Sequence, residues 1–439
     1  MKKLLYILFS FVILAGCEPK IDELSPNRGS ADFSRYVSVG NSLVAGYADG
    51  ALYYSAQKNS FPALLAGQFQ MAGGGAFVQP VVNSEFGVEF PGSMPRLKLG
   101  YSTSCTGVTS LGPVPDFGPR DQPTPVGYQV NNLGIPGAKS FHLLVKGYAL
   151  LNPYYGRFAT DPNNMVIQEI PPLNPTFFSL WLGNNDVLGY ATSGGVGDTI
   201  TGLKTFGDAM GAVVGSCVGT GTKGVIANIP EITSIPFFNT IPYNGLNLQT
   251  QEIVDQVNFA MGLFGLPFTY HLGQNPFLVA DPTSPHPLFK VRQMQPGELV
   301  LLTVPRDSMQ CYGMGIISSL TLTPWPIPNQ FVLTQDEITN IETAIAGYNT
   351  VIAGLAQTHG LALVDMNTKL KNLKSGILWD GIRMNTSFVT GGAFSLDGVH
   401  LTQRGYAVVA NYFIESINAE FGSTIPMVDI TKYPGVLFP

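Results

Sequence analysis

Short apolar runs separated by long Gly- and Pro-rich stretches set the pattern of this 439-residue chain. Tyr36 to Val39, Gln129 to Asn132, Phe177 to Leu182, Gly224 to Ile229 and Leu361 to Val364 read as five strands. The third is apolar on both faces, as suits a central parallel strand covered by helices on either side. Between Thr334 and Gly360 the residues Ile338, Ile341, Ile345, Ile352, Leu355 and Ala356 form one helical stripe. Thr334 and Glu337 make a capping box at its start, and Gly360 suits a left-handed cap at its end. A last helix carries Tyr406, Val409, Ala410, Phe413, Ile414 and Ile417 and stops near Gly422. Strand and helix in alternation predict a parallel α/β sheet, with ligands at the carboxyl ends of its strands.

Two regions break the alternation, about 73–127 and 231–330. Gly and Pro number 50 and 33, well above the average of roughly 12% together, and many fall there. Such long stretches inside a domain are functional covers or subdomains with small cores of their own, and both readings stand. The expected organisation is one α/β domain over 35–425 with these two insertions, followed by a tail at 426–439.

The N-terminus has a different pattern. Lys2 and Lys3 precede an apolar run from Leu4 to Leu14 and then Leu14-Ala15-Gly16-Cys17. The run is shorter than the ~20 residues a membrane span needs, and it reads as a secretory signal over 1–16. The small residues before Cys17 resemble the lipobox of bacterial lipoproteins. That resemblance implies an acylated Cys17, a tether over 17–34, and membrane attachment on the exported side. Glu18 in place of aspartate points to the outer membrane, on its periplasmic or cell-surface face.

Only 12% of residues are charged, against about 25% in a typical domain. The formal charge is −6, and without Lys2 and Lys3 the remaining 21 basic and 29 acidic residues give −8. Lys and Arg do not cluster, so nucleic acid is not an expected partner. Cys105, Cys217 and Cys311 allow one disulfide and one leftover thiol, and spacing does not tell which. His142, His271, His286, His359 and His400 are scattered, with no metal-binding spacing.

Candidate chemistry lies in four short segments: Gly40-Asn41-Ser42-Leu43, Asn132-Leu133-Gly134-Ile135-Pro136-Gly137, Gly183-Asn184-Asn185-Asp186 and Asp397-Gly398-Val399-His400. A serine hydroxyl needs a base to take its proton. Only His400 comes with a carboxylate at fixed short spacing, Asp397, able to hold one ring nitrogen while the other faces Ser42. Acyl transfer also needs donors fixed at the developing oxyanion. The Ser42 N–H at a strand-to-helix turn, the Gly137 N–H and the Asn185 side-chain amide are suited to it. His142 and His359 read as structural, while a substrate contact stays open for His271 and His286.

In order and content the four segments resemble the SGNH (GDSL-like) hydrolase family. The resemblance covers the blocks and the sheet, not the insertions, and Asn41 stands where the family has aspartate. It implies a three-layer α/β/α, flavodoxin-like fold with a mainly parallel five-stranded sheet. It also implies a serine esterase or lipase working through an acyl-enzyme, with Ser42, Asp397 and His400 catalytic. The implied oxyanion donors are Ser42, Gly137 and Asn185, Gly137 rather than Gly134 being the second-block donor. No cofactor or metal is implied. A lipid-type acyl ester and an acetylated glycan both remain as substrates, and a non-catalytic binding lipoprotein on the same scaffold is the competing class.

Overall fold

The computed structural model describes residues 25–439. The signal segment, Cys17 and the first part of the tether lie outside the described residues. The central sheet has five strands: β1 (Tyr36–Gly40), β2 (Asn132–Gly134), β3 (Phe177–Trp181), β4 (Lys223–Ala227) and β5 (Ala362–Val364). All pairings are parallel and the order is β5-β4-β3-β1-β2, the doubly wound flavodoxin-like order. β1 and β3 are buried along their whole length, which explains their unbroken apolar runs.

The second strand lies later than the sequence pattern suggested. Before Asn132 only the Asn131 carbonyl turns to β1, accepting from the Ser38 N–H, while the Asn131 N–H bonds to the Val78 carbonyl and Tyr128 Oη to the Gln79 carbonyl. Pairing with β1 therefore covers only Asn132, Leu133 and Gly134.

The helices that matter for the site are α1 (Ser42–Ala45), α2 (Phe61–Gln70), α3 (Asn185–Thr192), α4 (Leu203–Cys217), α5 (Gln335–His359), α6 (Met366–Ser375) and α7 (Gln403–Phe421). α2 and α7 pack together on one face, where Phe61 and Phe413 lie 4.7 Å apart and Trp181 of β3 packs against both rings. α4 and α5 cover the other face, with Phe206 stacked on Tyr348 at 4.0 Å. α5 has the expected Thr334/Glu337 capping box and a left-handed Gly360.

α7 is buried on more than its stripe: every residue from Gly405 to Ile414 is inside. The chain after the helix folds back along it, Asn411 exchanging two hydrogen bonds with Val428, while Ile425, Val428 and Ile430 are buried. The expected tail is thus part of the packed unit. The tether is also shorter than expected, since Ala31 and Phe33 are core residues and Phe33 stacks on Phe69 at 4.1 Å.

The first insertion carries an antiparallel hairpin, Leu97–Thr103 with Thr109–Pro115. The second is built of short ribbons and helices around two apolar clusters, one with Met261, Tyr270 and Leu278 and one with Phe277, Met314 and Ile327. It has a core of its own, while its first turn reaches the site described below. A disulfide joins Cys105 of the hairpin to Cys311 of the second insertion across 206 positions of sequence. Cys217 is a buried free thiol whose pKa burial pushes up to about 12. No helix among the described residues is long and apolar enough to cross a membrane.

Candidate active site

β1 delivers Ser42 to the carboxyl edge of the sheet as the first residue of α1. Asn41 caps that single turn, its Oδ1 accepting from the Leu43 N–H at 3.0 Å. An aspartate would do the same with its carboxylate, so the departure from the family pattern leaves the turn intact. Asn132 braces the turn from β2, donating from Nδ2 to the Val44 carbonyl at 3.0 Å. Gly134 is what lets α1 sit so close, because a Cβ there would collide with the backbone of Val44 and Ala45.

The loop before α7 brings the acid and the imidazole. Asp397 Oδ2 lies 2.9 Å from His400 Nδ1, and His400 Nε2 lies 2.8 Å from Ser42 Oγ. A carboxylate only accepts, so Nδ1 carries the proton and Nε2 is left to accept from the serine. Asp397 further accepts from the backbone N–H groups of Val399, His400 and Gly50. Burial alone would raise this carboxyl. The charge of His400 and the hydrogen bonds from His400 and Val399 outweigh it and hold Asp397 well below the usual carboxylate range. The imidazole rests against the Tyr47 ring, 4.7 Å between centroids.

Asp49 locks the acid loop to the serine's side, a role sequence reasoning missed. Its N–H donates to Ser395 Oγ at 3.0 Å, and its Oδ1 accepts from the Leu396 N–H at 3.0 Å. Ser395 Oγ in turn donates to Asp397 at 3.2 Å. The other carboxylate oxygen of Asp49 accepts from Tyr53 Oη, and Arg96 of the first insertion lies 3.8 Å away with its guanidinium over the Tyr53 ring. Burial pushes the Asp49 carboxyl up, opposed by the Leu396, Tyr53 and Arg96 contacts. The only trace in the sequence is the Asp49-Gly50 turn pair, which signals a bend and nothing of the partner 347 positions away.

The N–H groups of Ser42 and Gly137 have no acceptor among the described residues. Gly137 is exposed, with φ +79. Asn185 opens α3 and gives one amide N–H to the Ala138 carbonyl at 2.9 Å, leaving its second for the site. Asp186 is fully buried and accepts from both the N–H and the hydroxyl of Ser140, at 2.8 and 2.7 Å. Burial raises this carboxyl against the pull of the Ser140 hydrogen bonds. Asp186 therefore ties α3 to the Gly137 loop, a task the motif's spelling did not reveal.

The remaining histidines stand apart. His142 accepts the Lys139 N–H and stacks on Tyr148. His271 and His286 meet backbone carbonyls in turns of the second insertion. His359 ends α5. Among the described residues no group of His, Cys, Asp and Glu could hold a metal ion.

From Ser42 and His400 a cavity of about 840 Å³, counted to its open mouth, runs inward along the carboxyl edge of the sheet. It passes Asn184, Asn185 and Leu188 after β3, then Ile232 and Ile235 after β4, and reaches Leu370 and Leu373 of α6 after β5. Val408, Val409 and Tyr412 of α7 form another wall. Three strand spacings of about 4.8 Å separate β1 from β5, so the cavity extends ~14 Å. Its lining is overwhelmingly apolar. α6 and α7 and the first turn of the second insertion build it; the body of that insertion and the hairpin of the first do not line it.

No family model matches the chain, and no curated protein matches it. Solved structures similar to it include two at low identity. One is a lipase/acylhydrolase from Enterococcus faecalis, 11% identical, covering 90% of this chain and 98% of its own, with a TM-score of 0.34. The other is LAE5, an alpha/beta hydrolase enzyme from the metagenome of Lake Arreo, Spain, 12% identical, covering 88% and 96%, with a TM-score of 0.33. Likeness of this degree adds nothing to the reading of the site, which rests on the geometry above.

Proposed function

We propose that this chain is a serine ester hydrolase of the SGNH type that cleaves esters of medium to long acyl chains. The observation carrying the proposal is the Ser42–His400–Asp397 hydrogen-bond chain, at 2.8 and 2.9 Å, set at the mouth of the apolar cavity. Ser42 Oγ attacks the ester carbonyl as His400 Nε2 takes its proton, and the imidazolium is balanced by Asp397. The oxyanion accepts from the Ser42 and Gly137 N–H groups and from Asn185. His400 then protonates the departing alkoxide, leaving an acyl-enzyme. Water, activated by the same imidazole, attacks it and frees the acid.

The cavity favours a lipid-type acyl group over acetyl. An acetyl group buries almost no apolar surface, whereas each buried methylene is worth about 0.8 kcal/mol. An extended chain advances roughly 1.2 Å per bond, so ~14 Å accommodates about twelve carbons. Attachment through an acylated Cys17 at the outer membrane would hold the site beside such substrates. The test is hydrolysis of p-nitrophenyl esters from acetyl to palmitoyl, with fluorophosphonate labelling of Ser42. Rates rising to an optimum near dodecanoyl support the reading; an acetyl optimum supports glycan deacetylation; a folded protein that neither turns over nor labels is a binder.

A further inference from the structure

The cavity's lining carries a single Lys, Arg, Asp or Glu side chain, that of Lys369. It stands on α6 with Met366, Leu370 and Leu373, the four at helical spacing on one face, and that face lines the cavity. An ammonium there needs a polar partner outside the apolar space, with only its stem along the wall. The partner is on α7: Lys369 Nζ lies 2.8 Å from Glu415 Oε2 and 4.3 Å from the centre of the Tyr412 ring. Tyr412 lines the cavity as well, and Trp379, in the strand pair after α6, meets its ring edge-on at 5.5 Å. The Lys369 and Glu415 side chains are 32% and 39% exposed, so the pair sits where these two walls reach solvent.

Lys369 thus starts on one wall of the cavity and is held on another. Its own wall follows β5, three strands from β1 in the sheet, and so lies at the end away from Ser42. We propose that Lys369 limits the length of acyl chain this site takes: its stem is a bar across the far end, and a chain longer than about twelve carbons must displace it. The ammonium cannot withdraw into the apolar space, so it has to leave Glu415 and Tyr412 and swing outward. A partly exposed ion pair and a cation–π contact are each worth a factor of about two to five. Displacing the bar therefore costs longer chains roughly tenfold. The inference rests on the acyl-hydrolase reading and adds to it the residue that sets chain length.

The experiment compares kcat/KM for p-nitrophenyl dodecanoate and palmitate, below the concentrations at which they aggregate, in the wild type, Lys369→Ala, Lys369→Met and the reversed pair Lys369→Glu with Glu415→Lys. In the wild type the palmitoyl ester should fall about tenfold below the dodecanoyl ester. The two rates should draw level in Lys369→Ala, and also in Lys369→Met, which keeps a stem but loses its hold on α7. The reversed pair restores the bar and should return the ratio towards the wild-type value, whereas a merely structural lysine would affect both esters alike. The inference is overturned by a ratio unchanged in both single variants, by one that the reversed pair does not return, or by a wild type that takes palmitoyl as readily as dodecanoyl; the hydrolase reading survives each. No turnover with Ser42 unlabelled overturns the hydrolase reading itself. Calorimetric affinities of dodecanoic and palmitic acids for Ser42→Ala, with and without Lys369→Ala, then decide the bar: a rise in relative palmitate affinity supports it, and no rise removes it. Should one single variant fail to fold by near-ultraviolet dichroism, the other carries the comparison.

Discussion

Leu370→Trp is the sharpest probe of the cavity. Leu370 lies on α6 just past β5, 7% exposed, with its side chain lining the far part of the channel. An indole there obstructs about one strand spacing of the ~14 Å path, room for roughly four methylenes at ~1.2 Å each. At about 0.8 kcal/mol per methylene the loss is about 3 kcal/mol, or roughly 200-fold in kcat/KM. A dodecanoyl ester should suffer that loss, while butyryl and octanoyl esters, which end short of α6, stay within about threefold. Overpacking costs 1–3 kcal/mol in a filled core, and the open channel moderates it here. The assay is a chain-length series on wild type and variant, with fluorophosphonate labelling of Ser42 to show that the reacting end is intact. Equal losses at all lengths, or none at dodecanoyl, would refute the placement of the acyl chain.

Other predictions concern the reacting end and the scaffold. Asn185→Ala should lower kcat by about 10²–10³ with little change in KM, read by steady-state kinetics. Asp397→Asn should lower kcat/KM by about 10³–10⁴, since an amide can present the wrong tautomer of His400. Because the folded pKa of Asp397 is depressed, its charge contributes stability that is full above the unfolded value near 3.9 and is lost as pH falls below it. Urea midpoints of the wild type should therefore drop more steeply below about pH 4 than those of Asp397→Asn. Reducing Cys105–Cys311 should lower stability by about 2–4 kcal/mol by calorimetry, while Cys217, buried and far from ionised at neutral pH, should resist iodoacetamide until the protein unfolds.

Where one contiguous segment encodes a feature, the sequence displays it. The buried runs of β1 and β3, the Thr334/Glu337 box, the Gly360 cap and the Asp397–His400 spacing are all local, and all four site segments fall where a doubly wound sheet places them. Features assembled from distant segments were not visible. The cavity takes one or two residues from each of several strand ends, so no single stretch carries its pattern. Asp49 acts through Leu396 and Ser395, Asp186 through Ser140, and Cys105 pairs across 206 positions. α7 looked like a one-sided helix because its second cover comes from residues after it, whose own apolar positions, Ile425, Val428 and Ile430, are too sparse to announce an element. β2 was misplaced because a three-residue edge strand containing Asn and Gly carries almost no strand signal.

The most direct test of the account is turnover of p-nitrophenyl dodecanoate by protein starting after Cys17, beside Ser42→Ala. The account predicts hydrolysis by the wild type that is abolished in Ser42→Ala, with acyl-enzyme mass found on Ser42 alone. Equal turnover in both proteins, or acylation at another residue, would contradict it.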